Sequence, residues 1–163
     1  MKQYVIDTSS LIELMRTNPI DIYVTVWEKL EKLVNEGRLV APIYVLDEIH
    51  RMDDELKVWA NRHRRMFKPL SEAQIKTVSK VLVDFPGLSN SDKEGQVADP
   101  FVIAVALEKG KKAIEDFDGQ LERIVITEEK IRGDKHRIPL ACQHYKIKCM
   151  GIHEMFREEG WKF

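Results

Sequence analysis

The sequence predicts an α/β domain with a central, mainly parallel sheet of about four to five short strands and helices on both faces. Two observations support this prediction. Short apolar runs of strand-forming residues recur along the chain, and amphipathic helical segments separate them. Strands that alternate with helices pair in parallel through right-handed crossovers. At 163 residues we expect a single domain, residues 1–163, with a helical insert in the middle at about 53–86.

The first half of the chain alternates strand and helix. Residues 4–6 are strand formers that stop at a cluster of helix-capping side chains, so a helix is expected next. Residues 22–34 repeat apolar side chains at helical spacing until Gly37 ends the pattern. Residues 38–42 predict a short strand closed by proline, and residues 45–52 return to helical spacing.

The second half continues the alternation. Residues 55–67 and 71–85 predict two amphipathic helices separated by a proline. Residues 101–107 predict the most buried helix, and residues 123–127 a buried strand. A helix, a strand and a last short helix complete the prediction, over residues 138–145, 147–150 and 153–158.

Composition excludes several classes of protein. The 26 Lys and Arg and the 27 Asp and Glu give a net charge of −1, so a polyanion must be bound by a local patch. Cys142 and Cys149 are too few for a disulfide framework or a four-cysteine zinc site, which favours reduced thiols. No apolar run approaches the roughly 20 residues that cross a bilayer, and the first residues do not resemble a signal peptide. We therefore expect a cytoplasmic protein without a membrane segment.

Acidic side chains recur at the carboxyl ends of the predicted strands, where open α/β sheets form their sites. Asp7 ends the first strand, and Glu128 and Glu129 follow the strand at 123–127. Asp99 begins the apolar helix. The same positions also suit simpler roles, because Asp commonly caps helices and paired glutamates often form a solvated turn.

Glu48 is placed by helical geometry. At about 100° per residue counted from Val45, Glu48 borders the buried face of its helix and Asp47 points to solvent. Carboxylates that converge raise one another's pKa values unless a hard divalent cation compensates their charge. Oxygen ligands without a nearby Cys or His pair favour Mg²⁺ or Mn²⁺ over zinc. Convergence of the acidic residues would therefore imply a metal site.

Four short segments carry these acidic residues in order along the chain: residues 5–9, 45–49, 98–104 and 125–129. In this order they resemble the four motifs of the PIN-domain ribonuclease family. The chain is also similar to a PIN-like subgroup catalogued as a domain of unknown function, in residues 27–30 and in the tail at 155–163. The resemblance covers almost the whole chain and implies a PIN-like three-layer α/β/α fold.

The resemblance implies a divalent-metal-dependent endoribonuclease of the toxin type. Its cofactor would be Mg²⁺ or Mn²⁺, and its partners would be RNA, a cognate antitoxin and a second copy in a homodimer. The residues that match the acids of the four motifs, expected to bind metal and to act in catalysis, are Asp7, Glu48, Asp99 and Glu129. Glu128 is the alternative to Glu129. We expect Thr8, Thr127 and Glu128 to support the ligands through hydrogen bonds.

Two local patches offer the positive charge that RNA requires. Residues 57–68 contain five Lys and Arg and no acidic residue, and residues 130–137 contain four against Asp134. The residues expected to contact RNA are Arg62, Arg64, Arg65, Lys68, Lys130 and Arg132. Phosphate contacts would make binding weaken steeply with salt. The alternative is that both patches are ordinary solvated surface.

Two other functions stay open. A PIN-like binding module would keep the fold without turnover. A phosphatase of the haloacid-dehalogenase type carries its nucleophile where Asp7 lies, but its pattern requires a second Asp at the position of Ser9. The apolar tail at 155–163 is expected to pack back on the sheet, with an interface to a second copy or an antitoxin as the alternative.

Overall fold

The structure is a computed structural model and describes residues 1–52, 54–89, 97–108, 121–135 and 137–163. The strands within these residues are β1 (Lys2–Ile6), β2 (Leu39–Pro42), β3 (Phe67–Lys68), β4 (Glu122–Ile126) and β5 (Lys148–Met150). The α-helices are α1 (Thr8–Thr17), α2 (Val24–Asn35), α3 (Ile43–Met52), α4 (Asp54–Arg62), α5 (Glu72–Asp84), α6 (Asp99–Leu107), α7 (Ile138–Tyr145) and α8 (Ile152–Glu158).

The strands of the described residues form one parallel sheet in the order β3-β2-β1-β4-β5. The first half of the chain builds outward from β1 through β2 to β3. The second half builds in the other direction through β4 and β5. The strand order therefore reverses between β1 and β4. In open α/β sheets, ligands bind at the carboxyl ends of the strands beside such a reversal.

Helices cover both faces of the sheet, which confirms the predicted α/β architecture. Right-handed crossovers place the helices of the first half in one layer and α5 to α7 in the other. α6 packs across β1, β2 and β4, with α5 and α7 beside it. Its apolar residues are buried almost all round, as residues 101–107 predicted. Among the described residues, no helix combines the length and the apolar character needed to cross a bilayer.

The segment at 55–67 differs from its predicted single helix. α4 ends at Arg62, a 3-10 turn covers Arg64–Met66, and the chain then extends into β3. Phe67 is buried and lies in register with Ala41 of β2. Lys68 precedes a proline, which disfavours a helical conformation at that position. Sheet pairing and burial of the Phe67 ring therefore replace the last helical turn, and the expected helical insert contains an edge strand.

The apolar tail packs back on the protein. Phe156 belongs to the core, and Trp161 stacks on it with ring centroids 5.3 Å apart. Lys29 of α2 places its Nζ 5.5 Å from the centroid of the Trp161 ring. The tail thus joins α8 to α2, although Phe163 keeps 62% of its surface exposed.

Glu159 ties the tail to the amino end of the sheet. Tyr4 donates its hydroxyl to Glu159 Oε1 at 2.5 Å, and Arg38 donates to both carboxylate oxygens, with 3.0 Å to Oε2. Burial raises the pKa of Glu159, but hydrogen bonds from Arg38 and Tyr4 outweigh this and hold the pKa below its ordinary value of 4.5. The neighbouring Glu158 binds Lys2 and Lys148 at the surface.

Candidate active site at the carboxyl edge of the sheet

Asp7 lies at the strand-order reversal, directly after β1. It is 2% exposed, and its backbone N–H continues the sheet by donating to the Ile126 carbonyl at 3.0 Å. Its Oδ1 accepts a hydrogen bond from the Ser10 backbone at 2.8 Å, so Asp7 is also the N-cap of α1. The capping role predicted as an alternative is therefore real, but it uses only one of the two carboxylate oxygens.

The second oxygen, Oδ2, holds two hydroxyls. Thr127 donates to it at 2.5 Å and Ser9 at 2.7 Å. Each hydroxyl also accepts a backbone N–H from the segment after β4: Thr127 from Glu129 at 3.1 Å, and Ser9 from Glu128 at 3.3 Å. These hydrogen bonds link the ends of β1 and β4 through the Asp7 carboxylate.

Ser9 is a functional residue that the sequence analysis missed, because its position after Asp7 also suits helix capping. Of the two threonines expected to support the ligands, Thr127 makes the hydrogen bond to Asp7. The Thr8 hydroxyl is buried and has no hydrogen-bond partner among the described residues.

Burial controls the charge of Asp7. It raises the pKa of Asp7 from the ordinary value of 3.8 to about 6, against hydrogen bonds from Thr127, Ser10 and Ser9 that favour the ionised form. Within the described residues, no Lys, Arg or His nitrogen lies within 4.0 Å of the carboxylates of Asp7 or Glu48. The site therefore concentrates buried acid without a cationic side chain to compensate it.

We expect the metal-free protein to lose stability as the pH rises from about 4 to about 6. Because the folded state raises the pKa of Asp7, it binds the proton more tightly than the unfolded state, and this advantage disappears once Asp7 ionises. The pKa change from 3.8 to about 6 corresponds to about 3 kcal/mol. Urea unfolding in a chelator across this pH range measures the effect. Asp7→Asn should remove it, and identical pH profiles for the two proteins would contradict the prediction.

Glu48 has the position that helical geometry predicted. It is 5% exposed, whereas the adjacent Asp47 is exposed. Glu48 Oε1 accepts a hydrogen bond from the Ala98 backbone at 2.6 Å. Since Ala98 immediately precedes Asp99, Glu48 fixes the start of α6 and connects two of the predicted site residues.

Asp99 is the first residue of α6, and Ala98 occupies the N-cap position. The alternative in which Asp99 is the N-cap is therefore wrong. An aromatic contact holds the two helices together near this point, with Tyr44 of α3 stacked on Phe101 of α6 at 3.9 Å between ring centroids.

Glu128 and Glu129 diverge at the end of β4. Glu129 Oε2 accepts the backbone N–H of Ile138, the first residue of α7, at 3.0 Å. Glu128 Oε1 accepts the N–H of Ile152, the first residue of α8, at 2.7 Å. Helix N-termini have unpaired N–H groups and favour negative charge, so each glutamate stabilises one helix. The sequence analysis did not anticipate either role.

The four predicted acidic residues are not arranged around one point. No group of three or more His, Cys, Asp or Glu side chains in the described parts of the chain is placed to hold a metal ion. The hydrogen bonds to Ala98 and Ile138 engage one oxygen each of Glu48 and Glu129. In chemical type the donors suit a hard divalent cation, because they are carboxylate and hydroxyl oxygens and two of the carboxylates are buried without a cation.

Predicted RNA-contact residues flank this edge of the sheet. Lys68 lies in register with Pro42, which by extension of the β1–β2 register is level with Asp7. At the usual strand spacing, Lys68 is therefore roughly 10 Å from Asp7 along the sheet. On the other side, Lys130 and Arg132 are exposed in the segment that follows Glu129. The remaining three, all exposed and just before β3, are Arg62, Arg64 and Arg65.

Comparison with known proteins identifies a family. Residues 4–163 match the family described as a domain of unknown function, DUF4411. No curated protein and no solved structure matches the chain. Because the match extends over nearly the whole sequence, the chain belongs to the DUF4411 family, a domain of unknown function.

Proposed function

We propose that the chain is a divalent-metal-dependent endoribonuclease that hydrolyses RNA phosphodiester bonds, and that it acts in the cytoplasm as the toxin of a toxin–antitoxin pair. The observation that carries this proposal is the buried Asp7 carboxylate at the strand-order reversal, hydrogen-bonded to Thr127 and free of cationic side chains among the described residues. The order of the four acidic segments, which resembles that of PIN-domain ribonucleases, supports the same activity.

The residues that would hold Mg²⁺ or Mn²⁺ are Asp7, Glu48, Asp99 and Glu129. The ion, when bound, supplies charge neutralisation at the phosphate and a lowered pKa for the attacking water. Thr127 and Ser9 hold the Asp7 carboxylate in one orientation and favour its ionised form. Glu48 fixes the start of α6 through Ala98, and thereby the position of Asp99.

Positive charge on both sides of the site would hold the RNA backbone. Lys68 lies on one side, and Lys130 and Arg132 lie on the other. Contacts to phosphate position a nucleic acid without selecting its sequence. The proposal includes a cognate antitoxin that blocks this edge and a homodimer, both implied by the resemblance to toxins of the PIN-domain family.

Cleavage of a mixed RNA pool tests the proposal. We expect cleavage with Mg²⁺ or Mn²⁺ and none in a chelator. Glu48→Gln should lower the rate by about 100-fold or more, the usual cost of removing one preorganised group at a reacting centre. Asp47→Asn is the matched control, because Asp47 is the exposed neighbour on the same helix. Cleavage in the chelator, or equal losses in the two variants, would contradict the proposal.

A second candidate function is a PIN-like binding module without turnover. One observation favours it: in the described residues, no three potential ligand side chains are placed around one ion. RNA that is bound with measurable affinity but stays intact in Mg²⁺ and in Mn²⁺ would establish this function in place of the nuclease.

A further inference from the structure

A cavity of about 680 Å³ lies between α2 and the segment that runs from α4 into the 3-10 turn. Its floor is apolar: the rings of Trp27 and Trp59 meet edge to face at 5.0 Å, and the His63 ring lies 4.6 Å from Trp59. The volume falls within the roughly 300–1,000 Å³ of small-molecule sites. None of the four acidic residues of the candidate active site lines this cavity.

Opposite charges line its two walls. Glu28 and Glu31 project from α2, and the facing wall carries Arg62, Arg64 and Arg65. These five side chains form no ion pair within the part of the chain that the structure describes. The acids and the guanidinium groups are therefore available to a ligand that carries matching groups at two ends.

Two of the arginines are held in place by neutral partners. Arg65 donates to Asn35 Oδ1 at 3.0 Å, and Arg64 donates to Asn61 Oδ1 at 3.1 Å. Such hydrogen bonds orient the guanidinium groups without neutralising them. Burial lowers the pKa of His63 below its ordinary 6.5, so the ring on the floor is uncharged at neutral pH.

A nucleotide has the complementary pattern. Its phosphate is an anion that guanidinium groups bind through paired hydrogen bonds. Its base presents N–H donors that a carboxylate accepts. Guanine offers two adjacent donors on one edge, the ring N1–H and the 2-amino group, whereas uracil offers a single ring N–H. A wall with two carboxylates therefore favours guanine over uracil.

We propose that this cavity binds a guanine nucleotide of single-stranded RNA, with its phosphate on the arginine wall and its base edge on Glu28 and Glu31. The inference rests on the proposed function, because it takes RNA as the ligand. β3 leads directly from the arginine wall to Lys68 at the carboxyl edge. The cavity would then anchor the substrate beside the cleavage site and select where the strand is cut.

Anisotropy of labelled oligoribonucleotides, measured in a chelator with the full chain, tests this inference. We expect a U-rich strand with one central G to bind about tenfold tighter than the same strand with U at that position. Glu31→Gln should remove this preference and leave the affinity for the U strand unchanged. Glu72→Gln, an exposed glutamate on α5, should keep the preference.

The arginine wall has its own variant. Arg62→Gln combined with Arg65→Gln should weaken binding of both strands about equally and reduce the salt dependence by about 0.7 per lost phosphate contact. Lys80→Gln, on the exposed surface of α5, is the control. Circular dichroism of each variant establishes that it is folded. Titration of guanosine 5′-monophosphate, followed by the emission of Trp27 and Trp59, gives an independent readout, with uridine 5′-monophosphate as the comparison.

The outcomes separate this inference from the nuclease. Equal affinity for the two strands, or unchanged binding in the double arginine variant, would overturn the guanine site even if the protein cleaves RNA. Preferential binding of the G strand without cleavage in Mg²⁺ or Mn²⁺ would remove the nuclease and leave the guanine site standing.

Discussion

Asp7→Asn should abolish RNA cleavage, with a loss of about 1,000-fold or more, and at the same time make the metal-free protein more stable above pH 6. Asp7 is the most enclosed of the proposed ligands, and three donors from the chain fix its carboxylate. An amide of the same shape keeps the side chain in place but removes the charge that would attract a cation. It also removes the cost of keeping an ionised carboxylate buried without a counter-ion.

Opposite changes in activity and stability distinguish this role from a structural one. A residue that serves only to cap α1 would lose stability on substitution, and its activity would fall only with the folded fraction. Cleavage measured with excess protein, together with thermal unfolding in Mn²⁺ and in a chelator, gives both readouts. Mn²⁺ should raise the unfolding temperature of the wild type and not that of Asp7→Asn. Asp21→Asn, an exposed control, should behave as wild type, and an Asp7→Asn protein that cleaves normally would refute the assignment.

Sequence periodicity predicted most of the elements and one buried site residue. Glu48 could be placed because a helix repeats every 3.6 residues, so its angle to Val45 follows from the numbering alone. The end of β1 could be predicted because strand formers give way to capping residues at Asp7. The parallel pairing then followed from the alternation of strands and helices.

Contacts between distant segments could not be predicted in this way. Whether Glu129 binds a metal or the N-terminus of α7 depends on where Ile138 lies in space, nine residues away in sequence. The same holds for Glu128, whose partner Ile152 is 24 residues distant. β3 was missed because a strand of two residues has no periodicity, and its extended conformation depends on pairing with β2.

Glu159→Ala should lower the free energy of unfolding by about 3 kcal/mol, the largest stability loss we expect from a single polar substitution in this protein. The Glu159 side chain is 12% exposed and that of Arg38 is 21% exposed. Truncation would leave the Tyr4 hydroxyl and the Arg38 guanidinium without their common acceptor. The effect exceeds that of one neutral hydrogen bond because a charged group loses its partner in a partly dehydrated position.

Glu158→Ala is the matched control for this prediction, because the adjacent carboxylate pairs with Lys2 and Lys148 at the surface, where solvent screens the interaction. Its effect should be far smaller and should shrink further in high salt. Urea unfolding of both variants at neutral pH measures the difference, and similar losses would show that Glu159 contributes no more than a surface ion pair. Because Glu159 lies at the amino end of the sheet and Asp7 at the carboxyl end, the Glu159→Ala protein that remains folded should cleave RNA at the wild-type rate. A stability loss without an activity loss here, and the reverse at Asp7, would assign the two ends of β1 to different tasks.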